Sequence, residues 1–130
     1  GIPVMGHIGF TPQHYKKFKV QGVLMNERLR LIKEAKENEK AGVFSIVVEC
    51  VASNVAKEIT KSLKIPTIGI GASIHCDGQI LVTDDMLGLS GFYPKFVKKF
   101  VRLNNVIEKG VQKYNKAVLT KKFPNKKNKF

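Results

Sequence analysis

From Val43 to Val48 the apolar positions run almost without a break, whereas on either side of that stretch they recur at steps of three and four. Val43, Phe44, Ile46, Val47 and Val48 alternate little, the pattern of a parallel strand covered on both faces, and the run ends in Glu49. Before it, Leu29, Ile32 and Ala35, with Leu31 beside them, follow helical spacing among Glu and Lys from Met25 to Lys40, and Ala41-Gly42 closes that helix. After it, Ser53 reads as an N-cap, and Val55, Ala56, Ile59 and Leu63 form the inward stripe of a short helix reaching about Lys64. Ile2 to Met5 predicts a short strand containing Pro3, followed by the Gly-rich loop GHIGFTPQ, and His14 to Gly22 has no period and reads as loop. Pro66 opens a third strand that Thr67 to Ile70 propagate, and Asp77-Gly78 is a turn pair before a fourth, Gln79 to Thr83. Pro94 begins a final helix in which Phe96, Phe100, Leu103, Ile107, Val111, Tyr114 and Val118 recur at helical steps, weakened by Gly110.

Four strands are thus expected, near residues 2–5, 43–49, 67–70 and 79–83, with helices between most of them. Strand, helix, strand is the parallel crossover unit. A (β/α)8 TIM barrel takes about 250 residues, so the economical α/β reading is half of one over residues 1–120, with 121–130 a basic, flexible tail.

Composition agrees with a packed domain: 130 residues, 43% hydrophobic, are enough for a real core. The chain opens on Gly1 with a strand already under way, so its start reads as cut. No segment approaches the roughly 20 apolar residues of a membrane span. Cys50 and Cys76 lie far apart with no paired spacing, which fits reduced thiols in a cytoplasm better than a disulfide framework. A formal charge of +13 raises nucleic acid as a partner. Its distribution argues against one: from Lys109 onward there are eight lysines, no acid and no arginine, which reads as a solvated tail without base-reading or base-stacking chemistry.

The candidate chemistry lies where strands end, because parallel α/β folds carry their sites at the carboxyl ends of strands. Glu49 is so placed, and burial beside Val48 and Cys50 suits a general base. The bland reading makes it a solvated loop acid. His7, between glycines, has little local packing of its own, which favours a site over a satisfied core histidine. Gly69 to Ala72 would admit a phosphate or simply close packing. His75, Cys76 and Asp77 are all potential ligands, yet three adjacent residues rarely converge on one ion. Thr83, Asp84 and Asp85 end the fourth strand in polar groups, with Asp84 alternatively capping the turn at MLGL.

GIPVMGHIGFTPQ, KVQG, VVEC, IPTIGIGA, CDGQILV, DMLGL and GFYPKFVK, in that order, resemble the carboxyl-terminal half of the ketopantoate hydroxymethyltransferase family from Gly1 to about Val101. The resemblance implies a (β/α)8 barrel in large homo-oligomers. It also implies the first step of pantothenate synthesis, hydroxymethyl transfer from 5,10-methylenetetrahydrofolate to 2-oxoisovalerate with Mg2+. It puts the proton acceptor on Glu49 and a substrate-pocket histidine on His7, and assigns the metal-binding aspartates to a half not represented here. Asp84 and Asp85 sit at the wrong strand to replace them. The loop before Lys19 is shorter than the family's and lacks its glycine pair, and Ser73 stands where a glycine is common. Two other classes stay open at this stage, a phosphate-binding barrel enzyme using Gly69 to Ala72 and a non-catalytic binding module with a basic tail.

Overall fold

The computed structural model describes residues 1–13 and 18–129. It divides into two compact units, Gly1–Leu81 and Val82–Phe130. The first contains β1 (Met5–Gly9), α1 (Met25–Lys40), β2 (Ser45–Glu49), α2 (Ser53–Ser62), β3 (Thr67–Ile70) and the two-residue β4 (Gly78–Gln79). All pairings are parallel, in the order β1-β2-β3-β4, so this is an α/β unit of the kind half a (β/α)8 barrel requires.

Side chains of a strand alternate between faces, and here the alternation decides what is covered. Ile8, Ile46 and Val48 pack against Leu31 and Ala35 of α1 and Val55, Ala56 and Ile59 of α2. The residues between them in sequence, Met5, His7, Val47 and Glu49, therefore turn to the opposite face, where Met5 and His7 are exposed and Val47 and Glu49 half-buried. The apolar run of β2 is thus covered on one face by this chain's helices, not on both. On the other face Ser45 is buried with a hydroxyl that has no hydrogen-bond partner among the described residues.

Several boundaries move from their expected places. The first strand is Met5–Gly9, so GHIG is strand and not loop. Its glycines answer to packing: a Cβ on Gly6 would lie 2.7 Å from Asn38 Oδ1, and one on Gly9, where φ is +95°, would collide with the Glu49 carbonyl oxygen. The fourth strand is two residues long instead of running from Gln79 to Thr83, although Ile80 N still donates to Gly69 O at 3.0 Å. Asp77 is no free turn residue. Its carboxylate accepts from Thr67 N at 2.8 Å and Thr67 Oγ1 at 3.0 Å, tying the entry of β4 to β3. In α1 the inward residues are Leu31 and Ala35, while Leu29 is exposed. Ser53 is the first helical residue of α2 and makes no capping bond; its hydroxyl goes to Ser73. The expected loop from His14 to Gly22 falls partly outside the described residues.

The second unit holds α3 (Thr83–Leu87) and α4 (Leu103–Leu119). Asp84 and Asp85 lie in the first turn of α3, not at a strand end. Pro94 does not start the final helix. Phe100 N donates to Met86 O at 2.9 Å, and a Cβ on left-handed Gly88 would press on the Val101 carbonyl, so residues 88–101 fold back on α3 before α4 begins. No residue of α4 is buried.

Candidate active site

His7 and Glu49, each expected just at or after a strand end, form a close polar pair, although only Glu49 ends its strand and His7 is the central residue of β1. In the β1–β2 register His7 faces Val47 and Gly9 faces Glu49, so His7 and Glu49 are diagonal neighbours on the same face. Side chains at that spacing meet if both are long and polar, and here His7 Nε2 stands 3.0 Å from Glu49 Oε2. The Glu49 side chain is 15% exposed and that of His7 36%, so the carboxylate is sheltered while the imidazole reaches solvent. With Nε2 protonated, His7 donates to the carboxylate and aims it over the face that α1 and α2 leave uncovered. On its other side Glu49 is in register with buried Ile70.

The backbone around Glu49 is fixed on every side. Phe10 N donates to Glu49 O at 2.8 Å and Cys50 N to Ile70 O at 2.9 Å; Gln21 N donates to Cys50 O at 2.8 Å and Ala52 N to Gln21 O at 2.9 Å. Gln21 is itself 2% exposed. Cys50 has φ +50°, rare for a side-chain-bearing residue, and its thiol is pushed up to about 12 by burial and, secondarily, by the neighbouring Glu49 charge. Cys50 is therefore a neutral packing group and not a nucleophile. Reading the sequence alone missed Gln21 and Cys50: a left-handed conformation at a cysteine leaves no pattern in the residue string, and Gln21 stands in an aperiodic stretch.

The other candidates are spent on structure. Gly69 serves close packing, since a Cβ there would lie 3.1 Å from Cys76 Sγ and 2.9 Å from the Gln79 side chain, and Cys76 belongs to the core. Ser73, where a glycine was expected, is 4% exposed; its hydroxyl accepts from Ser53 at 3.1 Å and from His75 N at 3.3 Å, and its carbonyl accepts from Gln79 Nε2 at 2.7 Å. Cys76 is buried and Asp77 is bound to Thr67, so neither joins His75 in a ligand set. Among the described residues no group of three or more His, Cys, Asp or Glu stands together to hold a metal ion. Magnesium wants several oxygen ligands; the single carboxylate and imidazole of the His7–Glu49 pair do not fit such a site by themselves. Among the described residues no helix is long and apolar enough to cross a membrane.

Comparison with known proteins gives the same half of the fold a family. A protein-family profile described as ketopantoate hydroxymethyltransferase matches residues 1–126. The 3-methyl-2-oxobutanoate hydroxymethyltransferase of Pelagibacter ubique is 51% identical over 129 residues, covering 99% of this chain and 50% of that protein. The enzymes of that name from Sulfolobus acidocaldarius and Anaplasma marginale are each 50% identical, over 98% and 95% of this chain and 49% and 46% of their own lengths. The chain spans about half the length of the curated relatives it matches. With parallel strands in the required order and a match that runs nearly from end to end, this chain belongs to the ketopantoate hydroxymethyltransferase family.

Proposed function

We propose that this chain supplies the proton-abstracting part of a hydroxymethyl transfer from 5,10-methylenetetrahydrofolate to 2-oxoisovalerate, giving ketopantoate for pantothenate and coenzyme A synthesis. Glu49 is the proton acceptor and His7 its partner at the substrate pocket. The observation that carries the reading is the 3.0 Å contact between His7 Nε2 and a sheltered Glu49 carboxylate at the carboxyl end of β2.

The chemistry follows from that pair. The proton on the carbon next to a ketone is weakly acidic, and a carboxylate held within hydrogen-bond reach of it can take it as the C–H bond breaks. The electron pair left behind makes that carbon an enolate nucleophile. Water displaces both folate nitrogens from the one-carbon unit, releasing tetrahydrofolate and leaving the unit at the formaldehyde level. The enolate carbon then forms the C–C bond as the unit's C=O π bond opens, and the alkoxide so formed takes up the proton that Glu49 removed. His7 keeps the carboxylate turned toward the substrate before the transfer. Magnesium, when bound, would supply charge stabilisation at the keto acid. Its ligands are assigned to residues outside this chain, and no step is derived through it. A cytoplasmic setting and a homo-oligomer belong to the same reading.

Half the length of the relatives matches no part of this chain, and on this reading turnover needs that half. Assayed alone with magnesium, the chain forms no ketopantoate, and adding the other half restores it; turnover by the 130 residues alone overturns this requirement. In the complemented enzyme Glu49→Gln lowers kcat by about 10²- to 10⁴-fold while keto-acid affinity stays nearly unchanged. A wild-type rate removes Glu49 from the reaction.

A further inference from the structure

We propose that Cys50 is the positioning residue of this site: its left-handed backbone, clamped between Ile70 and Gln21, turns the chain out of β2 at one fixed point and thereby presents the Glu49 carboxylate to His7. The inference deepens the reading of Glu49 as proton acceptor and rests on it for its kinetic part only.

Three observations carry it. Cys50 has φ +50°, and among the described non-glycine residues only Lys121 shares the left-handed region. A strained conformation of that kind persists only where its surroundings over-determine it, and such positions gather at functional sites. Here the surroundings are explicit, since Cys50 N is held by Ile70 O and Cys50 O by Gln21 N, one bond on each side of the turn. The preceding carbonyl, that of Glu49, is held by Phe10 N from the strand that carries His7. The turn is thus tied by hydrogen bonds on both sides of the peptide that follows Glu49, whose carboxylate lies 3.0 Å from His7. Finally, the thiol is 1% exposed and raised to about 12, so it stays neutral and does no chemistry of its own. What the site takes from Cys50 is its backbone turn, in a conformation most residues resist, and not its thiol.

Conformation and packing make opposite forecasts for substitution. Glycine takes φ +50° without strain but leaves a void; valine fills space of similar character, but its β-branch opposes positive φ. If the turn is what matters, Cys50→Gly keeps the His7–Glu49 contact and Cys50→Val breaks it. If core filling is what matters, the order reverses. The contact is read on the whole chain by nitrogen NMR of the His7 Nε2 resonance at fixed pH, with His75 as internal reference and Glu49→Ala marking its loss. The expected result is a wild-type resonance in C50G and one moved toward that of E49A in C50V. In the complemented enzyme, C50V lowers kcat by about 10²-fold, the scale of a small misplacement of a reacting group, with KM unchanged, while C50G stays within a few-fold of wild type. A wild-type resonance in C50V, or a displaced one in C50G, overturns the proposal. Should C50V not fold, C50G against C50A decides it, because the turn requires glycine to hold the contact at least as well as alanine and packing requires the reverse. A Glu49→Gln enzyme with full activity would sink the catalytic reading and leave the resonance test standing.

Discussion

The two units of this chain treat their apolar residues in opposite ways. In Gly1–Leu81 the sheet and helices α1 and α2 bury Leu31, Ile46, Val48, Val55 and Ile59 completely or nearly so. In Val82–Phe130, Gly88 is the only buried residue among those described, and α4 exposes Val106, Ile107, Val111 and Tyr114 by half or more. Charge divides the same way, with twelve of the 23 basic residues but only three of the 10 acids falling in residues 82–130. A carboxylate that must be held to within a fraction of an ångström needs a rigid support, and the His7–Glu49 pair stands on the unit that has one. The second unit has helical structure without a core of its own, so its sequence pattern alone is a poor guide to what stabilises it.

Substitution in the two units separates them most sharply. Ile59→Ala removes a side chain with no exposure from the cluster beneath the sheet and is expected to cost about 2–5 kcal/mol in urea unfolding. Ile107→Ala in α4, where half the side chain is in water, is expected to change stability by no more than about 0.5 kcal/mol. Equal losses would erase the contrast. Gly9→Ala comes next. It imposes a Cβ at φ +95° against the Glu49 carbonyl, at about 1–3 kcal/mol for the backbone conformation alone. Because that carbonyl accepts from Phe10 N, the variant should also disturb the His7 Nε2 resonance, which the Ile59 change should leave in place.

Much of this first unit is legible in the residues, for reasons that also explain the errors. Runs of β-formers separated by amphipathic stretches specify parallel strands in chain order, and α1 falls on Met25–Lys40, where its pattern and its closing Ala41-Gly42 put it. Glu49 ends its strand as read. What misleads is glycine. Gly6 and Gly9 look like loop residues, and they are there because Asn38, Ile46 and the Glu49 carbonyl come too close for a side chain. A tertiary contact of that sort is invisible to local pattern. So is the Asp77 tether at the entry to β4, in a segment where β-propensity alone predicts a strand running to Thr83. In the second unit the spacing of Phe96 and Phe100 continues the stripe of α4 backward, although the chain there bonds to α3 instead. Periodicity reports helices well where a core rewards it and overruns where none does.

The Asp77 tether gives the comparison a pH axis. Hydrogen bonds from Thr67, backbone first, hold the Asp77 carboxyl below its ordinary value of 3.8. The folded state thus binds its proton less readily than the unfolded chain. The stability this contributes is fully present above the unfolded value and is lost as pH falls through and below it. Asp77→Asn should flatten the acid limb of the stability profile below about pH 4. Asp77 is exposed, so solvent screening keeps the effect modest. An unchanged acid limb would show that the tether contributes nothing to folding.

The mildest change points the other way, toward stabilisation. Gly110 sits in the interior of α4 with helical neighbours on both sides, and a Cβ built on it meets nothing within 4 Å. Gly110→Ala then adds helix propensity and removes unfolded-chain entropy without any clash, worth up to about 1 kcal/mol. The gain appears only if α4 is as free of close neighbours as its exposure indicates, for a helix pressed against another surface at Gly110 would lose contact and stability when a methyl is inserted. Thermal unfolding of the variant separates the two cases by sign. A raised midpoint keeps α4 as an uncovered helix, whereas a lowered one means its apolar stripe is buried in the protein as it exists in solution.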